Sequence, residues 1–239
     1  DKSGEFVLLN GNQTGSLLVN YLLTRWEDLG KITGKEFVAK TVVTTNLMDV
    51  MAKAKGVKVY NTLTGFKHIG AIIRALEGKE QFIGGGEESY GYLAGDFVRD
   101  KDAVMSCALI AEIVAWAKSK GKDLFDLMQE MYMEYGFYLE DLISITKQGR
   151  HGAAEIAAMM DDMRKNTPTS IAGEEVIEVI DYLESHKTGL PQSNVLQFIT
   201  AQGTKLTARP SGTEPKIKFY FSVQEKLSSR TQYDAVKLK

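Results

Sequence analysis

Hydrophobic and polar positions follow one pattern before residue 136 and another after it. In the first part, short apolar runs alternate with longer segments in which apolar residues recur at helical spacing, as in the stripe Phe66, Ile69, Ile73 and Leu76. This alternation is typical of βαβ units, and it predicts a three-layer domain with a mostly parallel sheet and helices on its faces. The predicted elements are strands over 5–9, 37–44, 57–60 and 81–84 and helices over 15–29, 47–54, 66–76, 102–118 and 123–135.

The second part lacks this alternation. A strand over 137–145 and a helix over 153–164 precede strands over 176–182, 194–200, 205–208 and 217–223, which Gly, Pro and Ser turns connect. This pattern predicts a smaller α+β domain with an antiparallel sheet. The chain is therefore divided into a strand within residues 1–9, an α/β domain over 10–136 and an α+β domain over 137–239.

Composition narrows the classes of function. The chain has 29 basic and 31 acidic residues, a formal net charge of -2, and no clustered Lys and Arg, so we expect no nucleic-acid partner. The apolar run over 108–117 contains Glu112 and is shorter than the ~20 residues that span a bilayer, so we expect no membrane segment. Cys107 is the one cysteine, which excludes a disulfide framework and favours a cytoplasmic location.

One segment, RPSGTEPK over residues 209–216, concentrates groups that bind anions. Arg209 offers a fork of donors suited to phosphate, Ser211 and Thr213 add hydroxyls, and Gly212 allows backbone N–H groups to approach an anion closely. The alternative is an ordinary turn between strands, for which Pro, Ser and Gly are also expected.

A second segment, GGGEESYGY over residues 84–92, follows a predicted strand where α/β sheets bind ligands. The adjacent carboxylates of Glu87 and Glu88, together with Ser89, could accept hydrogen bonds from vicinal sugar hydroxyls, and a tyrosine could pack against a sugar ring. A metal site at Glu87 and Glu88 is the alternative, but no His or further carboxylate stands at a suitable spacing. A solvated turn is the other alternative.

Two further groups of residues lie near helix starts. Lys67, in TGFKH, could support an anion at a helix N-terminus, whereas His68 is more commonly an ordinary surface or core residue. The carboxylates Asp96, Asp100 and Asp102 could suggest a metal cluster. An Asp just before a long helix is, however, a favoured N-cap residue, so we expect capping instead.

Taken together, RPSGTEPK, GGEESYG and TGFKHIG resemble segments of the α-D-phosphohexomutases, the family of phosphoglucomutase and phosphomannomutase. The resemblance covers nearly the whole chain, and the order and spacing of the segments agree with the family. It implies that Glu87 and Ser89 form hydrogen bonds with sugar hydroxyls and that Lys67 helps to hold the substrate. It also implies the phosphate-binding residues, which are Arg209, Ser211, Gly212 and Thr213.

The resemblance identifies this chain with the third and fourth of the family's four domains. Residues 1–9 would then be a remnant strand of the second domain, and Asp1 at the start fits a fragment. The family's phosphorylated serine, in Thr-x-Ser-His-Asn-Pro, and its Asp-x-Asp-x-Asp-Arg magnesium loop have no match here. We therefore expect no catalytic or metal-ligating residue in this chain, which would be inactive alone, with Mg²⁺ and the phosphoserine supplied by the missing N-terminal domains.

Several alternatives stay open at this stage. The resemblance implies a sugar-phosphate substrate, a bisphosphate intermediate and a glucose 1,6-bisphosphate type of activator, but the sugar could be a hexose or, in a phosphopentomutase, a pentose. Tyr90 and Tyr92 occupy the place where some relatives have a histidine linked to proton transfer, which puts an acid or base role for this loop in doubt. A non-catalytic module that binds sugar phosphates is the competing function.

Overall fold

The computed structural model describes residues 4, 6–149 and 151–238. Its contacts divide the chain into two compact units, the first formed by residues 1–138 together with 225–239 and the second by residues 139–224. No helix among the described residues is both long enough and apolar enough to cross a lipid bilayer.

The first unit contains a four-stranded sheet in the order β2-β1-β3-β4, in which β1 runs parallel to β2 and β3 and antiparallel pairing joins β3 to β4. Its strands are β1 (Glu36–Thr41), β2 (Lys58–Thr62), β3 (Gln81–Glu87) and β4 (Gly91–Ala94). Its helices are α1 (Gly11–Asp28), α2 (Leu47–Ala54), α3 (Phe66–Leu76), α4 (Ala103–Ser119) and α5 (Leu124–Tyr135).

Helices cover both faces of this sheet. On one face, Phe37 and Phe82 pack against Phe66 and Ile69 of α3 in a buried cluster. On the other, the buried Lys40 pairs with Asp49 of α2 at 2.8 Å. Because successive side chains of a strand point to opposite faces, the apolar strands predicted from the sequence bury both sides. The predicted α/β architecture is confirmed.

The second unit is built on a six-stranded sheet in the order β5-β10-β9-β8-β7-β6. Ile156 and Met160 of α6 cover Phe198, Ala208 and Ile217 on one face. The pairs β6–β7, β7–β8, β8–β9 and β9–β10 are antiparallel, which confirms the predicted sheet. The elements are β5 (Phe137–Thr146), α6 (Gly152–Lys165), β6 (Ser170–Ile171), β7 (Glu174–Asp181), α7 (Ser185–Thr188), β8 (Leu196–Thr200), β9 (Lys205–Pro210) and β10 (Lys216–Glu225).

In the first unit, three details differ from the prediction. Residues 6–9 form no strand: Phe6 is fully exposed, and no strand among the described residues pairs with this segment, while Glu5 lies outside the described residues. Helix α1 begins at Gly11 rather than residue 15, because Asn10 and Gln13 form a capping box. The short strand β4 was not predicted.

The C-terminal segment also differs. Residues 225–239 pack with the first unit rather than with residues 139–224, to which the sequence analysis joined them. Arg230 Nη1 lies 2.7 Å from the buried Asp126 of α5. The ring of Tyr233, in α8 (Tyr233–Leu238), stacks on Tyr132 with centroids 6.4 Å apart. These are contacts over about 100 residues of chain, and no local pattern indicates them.

Candidate functional site

Residues 209–216, which comprise the β9–β10 loop and the strand residues that flank it, are held by two backbone hydrogen bonds. The backbone N–H of Ser211 donates to the carbonyl of Lys216 at 2.7 Å, and the carbonyl of Pro215 accepts from the N–H of Lys147 at 2.8 Å. Gly212 and Thr213 are exposed, and a methyl group at Gly212 would meet no atom within 4 Å. The loop therefore presents a fixed, accessible backbone at its tip.

Two cations stand beside this loop. In the register of β9 and β10, Arg209 is the direct partner of Lys218, and residues directly opposite each other project from the same face of a sheet. Like charges in such a pair repel, and within the described part of the chain neither residue forms an ion pair with a carboxylate. An anion bound here would relieve that repulsion. Lys218 was missed by the sequence analysis, and only the strand register identifies it.

In the first unit, Glu87 connects two of the segments singled out in the sequence. It lies at the end of β3, and its Oε1 accepts a hydrogen bond of 2.9 Å from the N–H of Gly65, which precedes α3. Lys67 is exposed in the first turn of that helix. Burial and the charge of Lys67 lower the pKa of His68 below its ordinary value. The fold therefore brings Lys67 and Glu87 to the same end of the sheet.

Lys101 is a residue of this site that the sequence analysis missed. A methyl group at Gly91 would lie 3.2 Å from Oε2 of Glu87 and 3.2 Å from Cδ of Lys101, so the two side chains approach one point. The Nζ atom of Lys101 is 6.0 Å from the ring centre of Phe66 and 3.1 Å from a carboxylate oxygen of Asp100. Among residues 96–102, the sequence analysis assigned roles only to the three aspartates, as a possible metal cluster or a helix cap.

The two adjacent glutamates point to different surroundings. Oε2 of Glu88 lies 3.2 Å from the hydroxyl of Thr41 and 3.3 Å from that of Thr44, and burial raises the pKa of this carboxyl group. The two carboxylates therefore have different hydrogen-bond partners, and over residues 4, 6–149 and 151–238 no group of three His, Cys, Asp or Glu side chains could hold a metal ion. Asp102 caps α4 by accepting from the N–H of Met105 at 3.0 Å, which confirms the capping prediction for this residue.

The remaining residues of the β3–β4 loop are Ser89, which is exposed at its tip, and the two tyrosines near it. Tyr92 is buried, and its hydroxyl donates to the carbonyl of Gly11 at 2.6 Å. Burial strongly raises the pKa of Tyr92. Tyr90 is 52% exposed, so of the two tyrosines only Tyr90 has a ring face available to a ligand.

Comparison with known proteins gives a consistent result. The family model described as phosphoglucomutase/phosphomannomutase, alpha/beta/alpha domain III, matches residues 10–135. Phosphoglucomutase of Staphylococcus haemolyticus is 39% identical over 233 residues, which cover 93% of this chain and 42% of that protein. Phosphoglucomutase of Staphylococcus aureus strain USA300 is 36% identical over 234 residues, with 94% and 42% covered. The chain thus spans about two fifths of the length of these relatives.

Solved structures agree on the fold. The open form of the Paramecium phosphoprotein parafusin, a phosphoglucomutase, matches with a TM-score of 0.63 and 18% identity over 98% of this chain and 41% of that one. A phosphoglucomutase/phosphomannomutase family protein of Burkholderia thailandensis matches with a TM-score of 0.58 and 16% identity over 97% and 40%. With the family model matching more than half of its residues, this chain belongs to the phosphoglucomutase/phosphomannomutase family.

Proposed function

We propose that the protein containing this chain interconverts the 1-phosphate and 6-phosphate of a hexose, through a phosphoserine and a bisphosphate intermediate. Its family membership and a relative named phosphoglucomutase support this proposal. Because the chain spans 42% of that relative, the activity is assigned to the longer protein and not to these 239 residues alone. The role assigned to this chain is to bind the substrate and recognise its sugar hydroxyls.

The observation that carries the proposal is the β9–β10 loop beside Arg209 and Lys218, two cations that form no ion pair with any residue the structure describes. Arg209 and Lys218 would neutralise a phosphate, Ser211 and Thr213 would contribute hydroxyls, and Gly212 would expose the backbone to phosphate oxygens. The ordinary-turn alternative does not account for two cations placed directly opposite each other on one face.

Sugar recognition is assigned to the first unit. Glu87 would accept hydrogen bonds from sugar hydroxyls, since only one of its oxygens receives the Gly65 N–H in the described structure. Ser89 would offer its exposed hydroxyl, and Lys67 and Lys101 would add positive charge nearby. A carboxylate and a hydroxyl at fixed positions suit a vicinal diol, because each can form a hydrogen bond with one of two neighbouring sugar hydroxyls.

This division of labour follows from the chemistry of the reaction. A bisphosphate intermediate must bind in two orientations. In each orientation the phosphate-binding loop has to hold the phosphate that is not reacting. The residues that bind the sugar have to accept hydroxyls that exchange positions between the two orientations. The phosphoserine and Mg²⁺ are assigned to the rest of the intact protein, and an activator of the glucose 1,6-bisphosphate type would use the same substrate-binding groups as the intermediate. The described residues offer no metal site, so no step in this proposal runs through a metal held by this chain.

The test is Arg209→Ala in the intact protein, with conversion of glucose 1-phosphate to glucose 6-phosphate and calorimetric binding as readouts. Loss of a charge-assisted hydrogen bond is expected to weaken binding by about 1.5–3 kcal/mol. Lys187→Ala removes an exposed cation of the same unit that pairs with Glu184, and it should leave binding unchanged. Unchanged affinity of the Arg209→Ala protein would contradict the assignment.

Two further measurements separate the alternatives. Sugar-phosphate binding without turnover by the intact protein would support a non-catalytic module, and faster turnover of ribose 1-phosphate than of glucose 1-phosphate would support a phosphopentomutase. Turnover by the isolated 239-residue chain would contradict the assignment of the catalytic groups to the rest of the protein.

A further inference from the structure

The β3–β4 hairpin ends in a three-residue loop, Glu88-Ser89-Tyr90, because Glu87 is the register partner of Gly91. Three-residue hairpin loops commonly place their last residue in the left-handed conformation, which glycine adopts at least cost. Here that residue is Tyr90, with φ of 67°. A large side chain in this conformation is strained, so the surrounding structure has to hold it.

Tyr90 is held through its side chain. Its hydroxyl donates to the carbonyl of Leu9 at 3.0 Å, so the end of the side chain is tied to the segment that precedes α1. A glycine at this position would relieve the backbone strain but could not form that bond.

Glu88 is held on the other side of the loop. Its carboxylate lies against the hydroxyls of Thr41 and Thr44, which are fully buried at the end of β1 and in the following turn. The two hydroxyls lie 2.8 Å apart, so the three groups form one hydrogen-bonded cluster. This cluster joins the loop to the carboxyl end of the central strand.

The start of α1 packs beneath both of these residues. A methyl group at Gly11 would lie 1.7 Å from the carbonyl oxygen of Glu88 and 3.2 Å from the nitrogen of Tyr90. The side chain of Asn12 accepts a hydrogen bond of 2.9 Å from the N–H of Thr45, in the same turn as Thr44. The loop is therefore supported by the start of α1 and by the turn after β1.

Ser89 differs from both of its neighbours. It is exposed at the loop tip, and its side chain forms no hydrogen bond with any residue that the structure describes. We infer that Glu88 and Tyr90 are positioning residues, which hold the loop so that the Ser89 hydroxyl stands in one preformed place for a sugar hydroxyl. This inference rests on the proposed sugar-reading function of the loop.

The test is a set of double-mutant cycles in the intact protein. Glu88→Ala, Tyr90→Phe and Ser89→Ala are made singly, and each anchor variant is also combined with Ser89→Ala, with kcat and KM for glucose 1-phosphate as readouts. Each single variant should lower kcat/KM by about tenfold, mainly through KM, which is the size expected for a lost hydrogen bond. Each double variant should be no worse than its poorer single variant, because the anchors act through Ser89.

Two controls separate positioning from general stability. Glu88→Gln keeps an acceptor oxygen for the threonine hydroxyls and should restore most of the activity lost in Glu88→Ala. Tyr60→Phe removes another tyrosine hydroxyl bond of the same unit, the one to Glu80 at 3.0 Å, and should lower Tm without changing KM. Tyr90→Phe changes an exposed residue, so its cycle remains informative even if Glu88→Ala does not fold.

The outcomes are distinguishable. Losses that multiply fully in the double variants would overturn the positioning role while leaving the sugar-reading function intact. A Ser89→Ala protein with unchanged kcat and KM would overturn both the positioning role and the assignment of Ser89 to the sugar. A lowered kcat at unchanged KM in the anchor variants would mean that these residues only support folding, and it too would overturn the inference.

Discussion

Replacing Gly11 with Ala is the smallest change that should displace the β3–β4 loop. Gly11 is the first residue of α1, and its φ is not positive, so alanine is acceptable to the backbone. The added methyl group would, however, lie 1.7 Å from the carbonyl oxygen of Glu88. The obstacle is backbone rather than a flexible side-chain end, so either the loop or the start of α1 has to move.

The structure sets the size of the movement. A carbon and a carbonyl oxygen approach to about 3.3 Å, so relief of the 1.7 Å contact requires a shift of about 1.6 Å. A misplacement of about 1 Å in a group that positions substrate costs up to about 100-fold in rate, or roughly 2.7 kcal/mol. We expect kcat/KM of the Gly11→Ala protein to fall by about that factor, with an overpacking cost of about 1–3 kcal/mol in stability.

The assay is steady-state conversion of glucose 1-phosphate by the intact protein, with thermal unfolding measured on the same samples. Gly56→Ala is the matched control, because its φ of +70° makes alanine unfavourable while a methyl group there would meet no atom within 4 Å. Its cost of roughly 1–2 kcal/mol should lower Tm without lowering kcat/KM.

Two results would refute the reasoning. If the Gly11→Ala protein retains kcat/KM within twofold of the parent, either the loop tolerates the displacement or it does not contact substrate. If Gly56→Ala loses activity in proportion to its stability, the effect at Gly11 cannot be attributed to the loop.

Three further predictions test other parts of the structure. Burial raises the pKa of the Glu88 carboxyl above 4.5, so its contribution to stability is present below that pH and is lost as pH rises through the folded-state pKa. The Tm of the Glu88→Gln protein relative to that of the parent should therefore rise between pH 4 and 7. Parallel curves of Tm against pH for the two proteins would contradict this. Phe198→Ala should lower the free energy of unfolding measured in urea by about 3–5 kcal/mol, and Ile177→Ala, at an exposed position, should lower it by less than about 1 kcal/mol. Equal losses would show that Phe198 is not part of a buried core. Arg230→Ala removes the ion pair with Asp126 and should speed hydrogen exchange over residues 230–238, while unchanged exchange would mean that this contact does not hold the C-terminal segment.

The fold class was predictable because it depends on local periodicity. The alternation of strand and helix patterns before residue 136 and the run of strands after it both have counterparts in the structure. The Asp102 cap was predictable for the same reason, since a cap is a contact over three residues. Such features depend on neighbours along the chain, which the sequence contains directly.

Features that depend on distant pairing were not predictable. The partner of Arg209 across β9 and β10 is set by strand register, and the attachment of Arg230 to Asp126 joins residues that lie 104 positions apart in the sequence. The segment over residues 6–9 has the apolar character of a strand, but it has no pairing strand among the described residues. A strand requires hydrogen-bond partners that its own sequence does not supply.

The sequence by itself determined which chemistry the chain carries: a loop rich in anion-binding groups around Arg209, a Glu-Glu-Ser loop, and a lysine at a helix start. The tertiary structure decided how these groups are used. It directs Glu87 toward the start of α3 and Glu88 into a buried threonine pair, although the two are neighbours of the same type. The physical reason is that residue type fixes what a side chain can bond, whereas packing and burial decide which bonds it forms.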